Sequence, residues 1–471
     1  MSKPNPAPQQ ASIRAAWLRP LAPGAGPRYL QIVEQLARAI QAGELASGDQ
    51  IPPQRWLASE LGIDLTTVTR AYTEARNRGL IASFSGRGSY VLAGGGGPEP
   101  GGRVDLSMNI PPHPAGGELA DRVRIGIDGL LGHQGIEALS VYQSDAANVS
   151  AMQAGQAWLR PALGALANRP LLVCAGTQAA IFSVLLSVAR AGDTVLCEPL
   201  TYPGFLLAAG QLGLRVRAVE SDADGVLPDA LDKQHRDTGA RVVYLNPTLH
   251  NPTTRTMPEQ RRRDLATVLR KRGMTLIEDD PYRYLLHDAP PPLAAFTSGQ
   301  ATYYLASLSK CLWPSLRVSF IVPPAGGAGT GLQDSLRASS MGCSSLLLAL
   351  GEHWIRSGAA RRIVQDIQRE ARARQSLARA LLPGTAQAHP TGLHVWLPLP
   401  AHWNAQAFAD ALEQRGIIVA GSEAFSAQAG TGDAIRLSIG GARNQEELAQ
   451  ALRQIAALLE ENRRRASRAI V

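Results

Sequence analysis

The sequence predicts an α/β protein that carries a separate, smaller α+β module at its N-terminus. Residues 17–92 have apolar positions at helical spacing, followed by two short strand-like runs. Residues 93–103 consist largely of glycine and proline, which is typical of a flexible linker. From residue 104 to 471, strand-like apolar runs alternate with helical segments, which favours a mainly parallel central sheet. We therefore expect two folded domains joined by a linker, with residues 1–16 forming a disordered tail.

Length and composition restrict the class of protein before any motif is considered. The chain has 471 residues and a formal net charge of +8, which is enough sequence for a large core and favours polyanionic partners modestly. It contains no apolar run of about eighteen residues, and its polar, Pro-rich start has no apolar signal segment. The four cysteines are scattered and show no CxxC spacing, so we expect reduced thiols and no metal site. These features predict a soluble, cytoplasmic protein that has no contact with a membrane.

The N-terminal domain begins with three predicted helices. Apolar residues recur every three or four positions between Tyr29 and Ile40, which predicts the first helix. A second, short helix is opened by prolines and closed by Gly62. Asp64 is positioned to cap a third helix that runs from Leu65 to Arg78. The inner face of this third helix is predicted to consist of Val68, Ala71 and Ala75.

The third helix and the hairpin after it carry the groups expected of a DNA-binding surface. The outer face of the helix has short polar side chains and one cation, and the turn of the hairpin contains an arginine between two glycines. In a winged helix-turn-helix, such a helix enters the major groove and the wing reaches the backbone or the minor groove. A three-helix packing module with no role in DNA binding is the alternative. The predicted DNA contacts are Arg55, Thr66, Thr67, Thr69, Arg70, Tyr72 and Arg87.

In the larger domain, strand-like runs are separated by helical segments. Two late runs, His394 to Leu399 and Ala434 to Ile439, belong to a smaller α+β subdomain predicted over about residues 360–471. The runs predicted for the main sheet are Leu171 to Cys174, Thr194 to Cys197, Arg215 to Val219, Val242 to Leu245, Leu276 to Glu278, Thr302 to Leu305 and Val318 to Val322.

The stretch from Leu305 to Arg317 contains the lysine on which the functional prediction rests. Lys310 follows Ser307 and Ser309 in a short apolar run. An amine held out of water has a lowered pKa, so more of it is neutral and able to attack an aldehyde. Hydroxyls and a guanidinium nearby suit a phosphate. These groups predict a pyridoxal phosphate site in which Lys310 forms the Schiff base, and an ordinary surface loop is the alternative.

Four other stretches supply the remaining parts of such a site. Gly176 opens a helix whose free N–H groups would bind a phosphate. Tyr202 lies on a Pro-braced loop and can stack on a flat heterocycle, while Asn251, held extended before a proline, can donate to a phenolate oxygen. Asp279 ends a predicted strand, where a buried carboxylate can keep a pyridine nitrogen protonated. Each stretch is ambiguous alone, but their order together is specific.

The first domain resembles the GntR-type winged helix. Two positions depart from that family's pattern, because Gln54 replaces a serine and Asp64-Leu65 replaces Ser-Arg at the start of the recognition helix. The resemblance is carried by motifs that include Gly43-Glu44-Leu45, Leu57-Ala58, Leu61-Gly62, Ala71-Tyr72, Gly79-Leu80-Ile81 and Gly86-Arg87-Gly88.

Residues 104–462 resemble fold-type I pyridoxal phosphate enzymes of the aminotransferase family. The resemblance implies that Lys310 is the Schiff-base lysine and that Asp279 pairs with the pyridine nitrogen. It implies that Asn251 and Tyr282 hold the phenolic oxygen. The residues implied to line the phosphate are Gly176, Thr177, Gln178, Ser307, Ser309 and Arg317.

Three further roles follow from the same resemblance. Tyr202 is expected to stack on the cofactor ring. Arg436 matches the arginine that takes the α-carboxylate of an amino acid. Tyr142 matches a tyrosine that reaches the phosphate bound by the partner subunit.

A GntR-type winged helix fused to an aminotransferase-like domain is the architecture of the MocR family of transcriptional regulators. The resemblance implies a homodimer, head-to-tail through domain exchange, that binds double-stranded operator DNA. It also implies that the protein senses pyridoxal phosphate or a small amino-compound effector. We expect aldimine exchange at Lys310, with Arg436 anchoring the effector's acid group, to alter DNA binding. The chain is therefore predicted to be a regulator and no enzyme, although residual turnover is compatible with its motifs. An active aminotransferase with an attached DNA-binding domain and an apo scaffold that only dimerises the winged helix are the alternatives.

Overall fold

The computed structural model divides into two units, Met1–Arg103 and Val104–Val471. The predicted tail and nearly all of the predicted linker lie outside the residues that the structure describes. The described residues are 17–22, 26–46, 48–84, 88–91, 103–114, 117–141, 149–327, 329–428, 430 and 432–468.

The N-terminal unit is a winged helix-turn-helix, as the sequence predicts. Its antiparallel sheet places the strand Gly88–Val91 between the other two strands. The helices are Arg28–Gln41, Gln54–Leu61 and Leu65–Asn77, and the strands are Gln50–Ile51, Ile81–Phe84 and Gly88–Val91.

The third helix of this unit packs as its apolar pattern predicts. Val68, Ala71 and Ala75 are all buried, which confirms the predicted inner face. The helix begins directly after Asp64, but the Asp64 side chain makes no capping hydrogen bond. Its backbone carbonyl instead accepts from the N–H of Thr67 at 3.0 Å, so the first turn is closed by the main chain alone.

The larger unit is built around a seven-stranded sheet that is mainly parallel, as predicted. The strand Ser319–Val322 is the exception, because it runs antiparallel to both of its neighbours. In spatial order the strands are Leu172–Cys174, Ser319–Val322, Thr302–Ser307, Thr275–Asp279, Val242–Leu245, Thr194–Cys197 and Arg215–Ala218.

Helices flank this sheet, and two of its inner strands are buried along their whole length. Every residue of Val242–Leu245 and of Thr302–Ser307 is buried, as expected of a parallel sheet covered on both faces. The helices up to residue 356 are Glu118–Leu139, Val149–Leu163, Thr177–Val188, Pro203–Gln211, Pro228–Thr238, Glu259–Arg272, Leu293–Phe296, Gly329–Ser340 and Ser345–Arg356.

A smaller subdomain follows, with its own antiparallel sheet and core. Two long helices, Ala359–Leu381 and Gln445–Arg468, pack against each other there, with Ala405–Glu413 as a third, shorter helix. The strands of its sheet, in spatial order, are Gln387–Ala388, His394–Pro398, Ala434–Ser438 and Ala420–Gly421.

The sheet topology brings several polar residues to one edge. Asp279 and Ser307 are the last residues of two adjacent parallel strands, and Asn246 follows directly after the next strand. In open α/β sheets, ligands bind in the crevice outside the carboxyl ends of the strands. The fold therefore collects these side chains where a ligand site is expected.

The first segment of the larger unit crosses to the smaller subdomain. Val104–Asp105 pairs in parallel with Ile417–Ile418 and then passes closely over two glycines. A Cβ atom on Gly440 would overlap the carbonyl oxygen of Ile110, and one on Gly441 would overlap that of Asp105. Glycine is therefore required at both positions for this segment to lie where it does.

Gly440→Ala should displace residues 104–112 and lower the free energy of unfolding by about 1–3 kcal/mol, because the new methyl group meets backbone atoms that cannot rotate away. Hydrogen exchange of the peptide covering this segment should become faster, since the N–H of Leu106 bonds to Ile418. Gly384→Ala is the matched control, because its added Cβ would meet nothing within 4 Å. Equal exchange in the two variants would contradict the steric account.

Candidate functional site

A cavity of about 320 Å³ lies at the carboxyl edge of the large sheet. Most of the predicted cofactor residues line it, together with residues that the sequence analysis did not select. The lining consists of Met108, Asn109, Ile110, Thr177, Gln178, Tyr202, Asn246, Asn251, Asp279, Pro281, Tyr282, Ser307, Ser309, Lys310, Pro314 and Arg317.

Lys310 projects its amine into a desolvated and electropositive environment. Burial is the main cause that lowers the pKa of Lys310 to about 8, and the positive charges of Arg436 and Arg317 lower it further. The Nζ donates a hydrogen bond to the backbone carbonyl of Asn109 at 2.5 Å. A substantial fraction of this amine is consequently neutral near pH 8, as a nucleophilic lysine requires.

Asp279 is buried with one of its carboxyl oxygens free. The hydroxyl of Tyr244 donates to Oδ2 at 2.7 Å, whereas Oδ1 has no hydrogen-bond partner among the described residues. Burial raises the pKa of Asp279 to about 7, and the bond from Tyr244 opposes that rise. An unsatisfied buried carboxyl oxygen is costly, so this atom is poised to accept a proton donor such as a ring N–H.

The phosphate end of the predicted site is formed by a helix terminus and an arginine. Gly176 (φ 89°) precedes the helix Thr177–Val188, whose first N–H groups have no partner within the helix. A Cβ atom at Gly176 would lie only 3.0 Å from the guanidinium carbon of Arg317, so glycine permits this close approach. The hydroxyl oxygen of Ser309 is buried and has no partner in the described chain. Free N–H groups, a guanidinium and a hydroxyl suit a phosphate dianion.

The remaining lining side chains at this end are held by neighbouring groups. The Thr177 hydroxyl lies 3.0 Å from that of Ser319, and Gln178 Nε2 donates to the Gly204 carbonyl at 2.8 Å. The Oγ of Ser307 accepts from the N–H of Ser309 at 3.1 Å. These bonds fix the walls of the cavity without occupying it.

Arg436 lies beside the cavity and is already engaged with the protein. Its Nη1 donates to Asn251 Oδ1 at 2.7 Å, its Nη2 donates to the Ser107 carbonyl, and its guanidinium lies 4.9 Å from the ring centre of Phe425. It is only 6% exposed and does not line the cavity itself. A carboxylate would have to replace these acceptors in order to bind Arg436.

Three residues that sequence reasoning missed organise this site. The Asn109 side chain donates to the Tyr282 hydroxyl at 2.9 Å, while its backbone carbonyl receives Lys310. The Asn246 side chain donates to the Asp279 carbonyl at 2.7 Å and accepts from the Asn251 N–H at 2.8 Å. Side chains two residues apart in a strand lie on the same face, so Tyr244 is expected on the same side as Asn246. No local pattern identified Asn109.

The predicted DNA-binding surface is largely exposed. Arg55, Thr66, Thr69 and Arg70 are exposed and Thr67 is partly exposed. The Arg70 guanidinium lies 4.2 Å from the ring centre of the partly buried Tyr29.

The prediction that Tyr72 contacts DNA is wrong. Its side chain is 4% exposed and lies in the core of the winged helix, and its hydroxyl donates to the Pro52 carbonyl at 2.5 Å. Tyr72 therefore stabilises the unit from inside and is not available to DNA. Arg87 and Tyr142 lie outside the described residues.

Neither a membrane-spanning helix nor a cluster of side chains able to hold a metal is found in the described part of the chain. None of its helices is long and apolar enough to cross a membrane. Within that same part, no group of three or more His, Cys, Asp or Glu side chains could hold a metal ion. The four cysteines are free thiols.

Asp279→Asn should lower the pKa of Lys310 below about 8, because the substitution removes the negative charge that favours the ammonium form. The pKa can be read by NMR after ¹³C methylation, since the chain has only four lysines, at positions 3, 233, 271 and 310. The exposed Lys233 and Lys271 are internal controls and should keep their titration curves. An unchanged or higher pKa of Lys310 would show that Asp279 does not act on it.

Comparison with known proteins agrees with this two-part architecture. Residues 28–91 match the family model of bacterial regulatory proteins of the gntR family, and residues 104–455 match that of aminotransferase class I and II. The multiple substrate aminotransferase from Thermococcus profundus superposes with a TM-score of 0.68 at 19% identity, covering 77% of this chain and 92% of that structure.

Two curated regulators are similar over nearly their whole length. The uncharacterized HTH-type transcriptional regulator YdeF of Bacillus subtilis is 27% identical, covering 92% of this chain and 95% of that protein. The vitamin B6 salvage pathway transcriptional repressor PtsJ of Salmonella typhimurium is 30% identical, covering 85% of this chain and 91% of that protein. With an aminotransferase class I and II domain that follows a GntR-type winged helix, the chain belongs to the MocR family of transcriptional regulators.

Proposed function

We propose that this DNA-binding regulator binds pyridoxal phosphate in the cavity around Lys310 and responds there to a small amino compound. The observation that carries the proposal is the pairing of a lysine of lowered pKa with a buried carboxyl oxygen that lacks a partner, both lining one cavity. That a similar protein, PtsJ, is named a repressor of vitamin B6 salvage supports a cofactor of this chemistry. Because the present chain is a DNA-binding regulator, we expect it to act in the cytoplasm.

Each part of the cavity would serve a different part of the cofactor. Pyridoxal phosphate supplies an aldehyde that a neutral amine can attack, and Lys310 is the amine within the cavity. The free oxygen of Asp279 would hold the proton on the ring nitrogen. Arg317, Ser309 and the N-terminus of the helix that begins at Thr177 would bind the phosphate, and Tyr202 would cover the ring.

The effector would bind by replacing hydrogen bonds that Lys310 and Arg436 make within the protein. Its amine would replace that of Lys310, and its carboxylate would draw Arg436 away from its present acceptors. Both of these side chains bond to carbonyls of one short segment, Arg436 to Ser107 and Lys310 to Asn109. That segment directly follows the predicted linker, residues 93–103. Release of either contact would loosen the part of the sensor domain that is joined covalently to the winged helix.

The proposal includes a homodimer, because aminotransferase-fold proteins commonly form dimers and GntR-type domains read paired half-sites. A head-to-tail arrangement through domain exchange would bring Tyr142 of one protomer to the phosphate of its partner. Pairing would also place two winged helices on one operator. The DNA contacts would come from Arg55, Thr66, Thr67, Thr69 and Arg70 and, from the wing, Arg87.

An active aminotransferase with an attached DNA-binding domain is the second candidate function. It is favoured by one observation, which is that the lysine, the aspartate and the phosphate-binding groups all line the same cavity. A pure scaffold has no use for such a set. The regulator is preferred because the similar proteins of full length are named as transcriptional regulators.

The experiment that tests the proposal is fluorescence anisotropy of the full chain on DNA from upstream of its own gene. Binding should be tighter than to random DNA of equal length at the same salt concentration, and it should change when pyridoxal phosphate is added. Equal affinity for both DNAs, together with steady turnover of an amino donor, would move the assignment to an aminotransferase.

Lys310→Ala should preserve specific DNA binding and abolish its response to amino compounds, because the exchangeable amine is gone. We expect the wild-type protein to change its operator affinity by about fivefold or more in the presence of pyridoxal phosphate and the right amine. A panel of common amino acids, each with pyridoxal phosphate, would be screened by anisotropy. Lys271→Ala is the control, because Lys271 is exposed on the helix Glu259–Arg272. If amino compounds still changed the operator affinity of Lys310→Ala, the exchange mechanism would be contradicted.

A further inference from the structure

A second cavity, of about 250 Å³, shares one wall with the cofactor cavity. Asn246 lines both. The second cavity is bounded by the loop that follows the strand Thr194–Cys197, by the turn around Ser221 and Asp224, and by the chain from Asn246 to Met257. Gln428 of the smaller subdomain lies exposed at its mouth. Asn246, which positions Asp279 and Asn251, is the one residue that the linings of the two cavities share. The other residues that line the second cavity have no role in the proposed cofactor chemistry.

Glu198 is the distinctive group in this second cavity. It is 5% exposed, and its Oε1 accepts from the N–H of Asn246 at 2.9 Å. Its Oε2 is buried and finds no hydrogen-bond partner within the described chain. Burial raises the pKa of Glu198 to about 8, and the negative charge of Asp279 adds to this rise. A buried carboxyl oxygen that lacks a partner and borders an open cavity can accept a hydrogen bond from a ligand there.

The groups around Glu198 favour a cation over an anion. Asp224 lines the cavity, and so does Asp222, whose charge is compensated by a bidentate ion pair with Arg261 at 2.8–2.9 Å. Arg255 is the cationic side chain of the lining, and it is exposed and bonds to the Asp222 carbonyl at 3.2 Å. Burial lowers the pKa of His250 to about 4, so this ring is neutral at physiological pH. An ammonium group that reaches Glu198 would therefore meet an acidic, hydrogen-bond-accepting wall.

We propose that this cavity is a binding site for a small ammonium compound, whose N–H donates to the free oxygen of Glu198. The site is separate from Lys310 and requires no covalent bond. Its occupant is held as an ion pair with the buried Glu198 carboxylate, and such a charge-assisted hydrogen bond is stronger than one between neutral groups. The proposal stands independently of the cofactor chemistry proposed above.

Asn246 gives this site a physical connection to the cofactor cavity. Its backbone N–H bonds to Glu198, while its side chain holds the Asp279 carbonyl and the Asn251 N–H. On the other side, the Ala427 N–H bonds to the Pro199 carbonyl, next to Phe425 and Arg436. A ligand that moves Glu198 or Asn246 would therefore alter residues of both cavities, and binding at the two would be reciprocally linked.

The test uses trimethylammonium chloride and the full-length protein without added cofactor. This tertiary amine has one N–H donor and cannot condense with an aldehyde, so it reports only on noncovalent binding. Saturation-transfer NMR at a pH just above 8, where Glu198 is partly ionised, would give the dissociation constant. Glu198→Gln should weaken binding about tenfold or more, because it removes the charge but keeps an acceptor for the Asn246 N–H. Gln428→Trp should weaken it by blocking the mouth.

The control is Lys271→Ala, which should leave the affinity for trimethylammonium unchanged, because Lys271 is exposed on the helix Glu259–Arg272 and lines neither cavity. Hydrogen exchange of the peptide around Asn246 should confirm that Glu198→Gln is folded. Absence of saturable binding to the wild-type protein would overturn the proposal. So would equal binding by the wild-type protein, Glu198→Gln and Gln428→Trp, because it would place the amine elsewhere. Weaker binding in Asp279→Asn together with unchanged binding in Glu198→Gln would assign the amine to the free oxygen of Asp279 in the cofactor cavity instead.

Discussion

The functional site depends on the burial of two groups of opposite charge, Lys310 and Asp279, in one cavity. Burial shifts each pKa toward the neutral form, to about 8 for the amine and to about 7 for the carboxyl. Neither group forms an ion pair with the other; each is held by a hydrogen bond instead, to Asn109 and from Tyr244. The cavity thus keeps the Lys310 amine and the free Oδ1 of Asp279 separate, so that both remain available to the proposed cofactor, which a salt bridge would prevent.

The large sheet positions the polar residues of the cavity, and a segment that pairs with the smaller subdomain forms its remaining wall. Asp279 and Ser307 reach the cavity because parallel strands bring their carboxyl ends to one edge. The segment at residues 104–112 then closes the cavity from the side of the smaller subdomain, where Gly440 lets its backbone pass. The cavity is therefore sensitive to movement of an element that leads to the predicted linker.

Both proposed ligand sites use the same structural device. Each has a buried carboxyl with one bonded oxygen and one free oxygen, Asp279 in the first cavity and Glu198 in the second. Asn246 connects the two, because its backbone and its side chain bond to residues of different cavities. A single asparagine at the end of a central strand therefore gives a route by which two ligands could influence each other.

The sequence by itself determined the order of the main elements, the two-domain division of the fold and most of the side chains that line the proposed cofactor cavity. It could do so because periodicity and strand-end motifs are local, and a parallel sheet gathers strand ends at one edge. Only the tertiary structure decided the rest. Asn109 meets Lys310 across 201 positions of sequence, Tyr72 turns into the core, and Arg436 is held by Asn251 and Ser107. These contacts join distant segments, and no local pattern encodes which carbonyl or hydroxyl a folded chain brings to a given side chain.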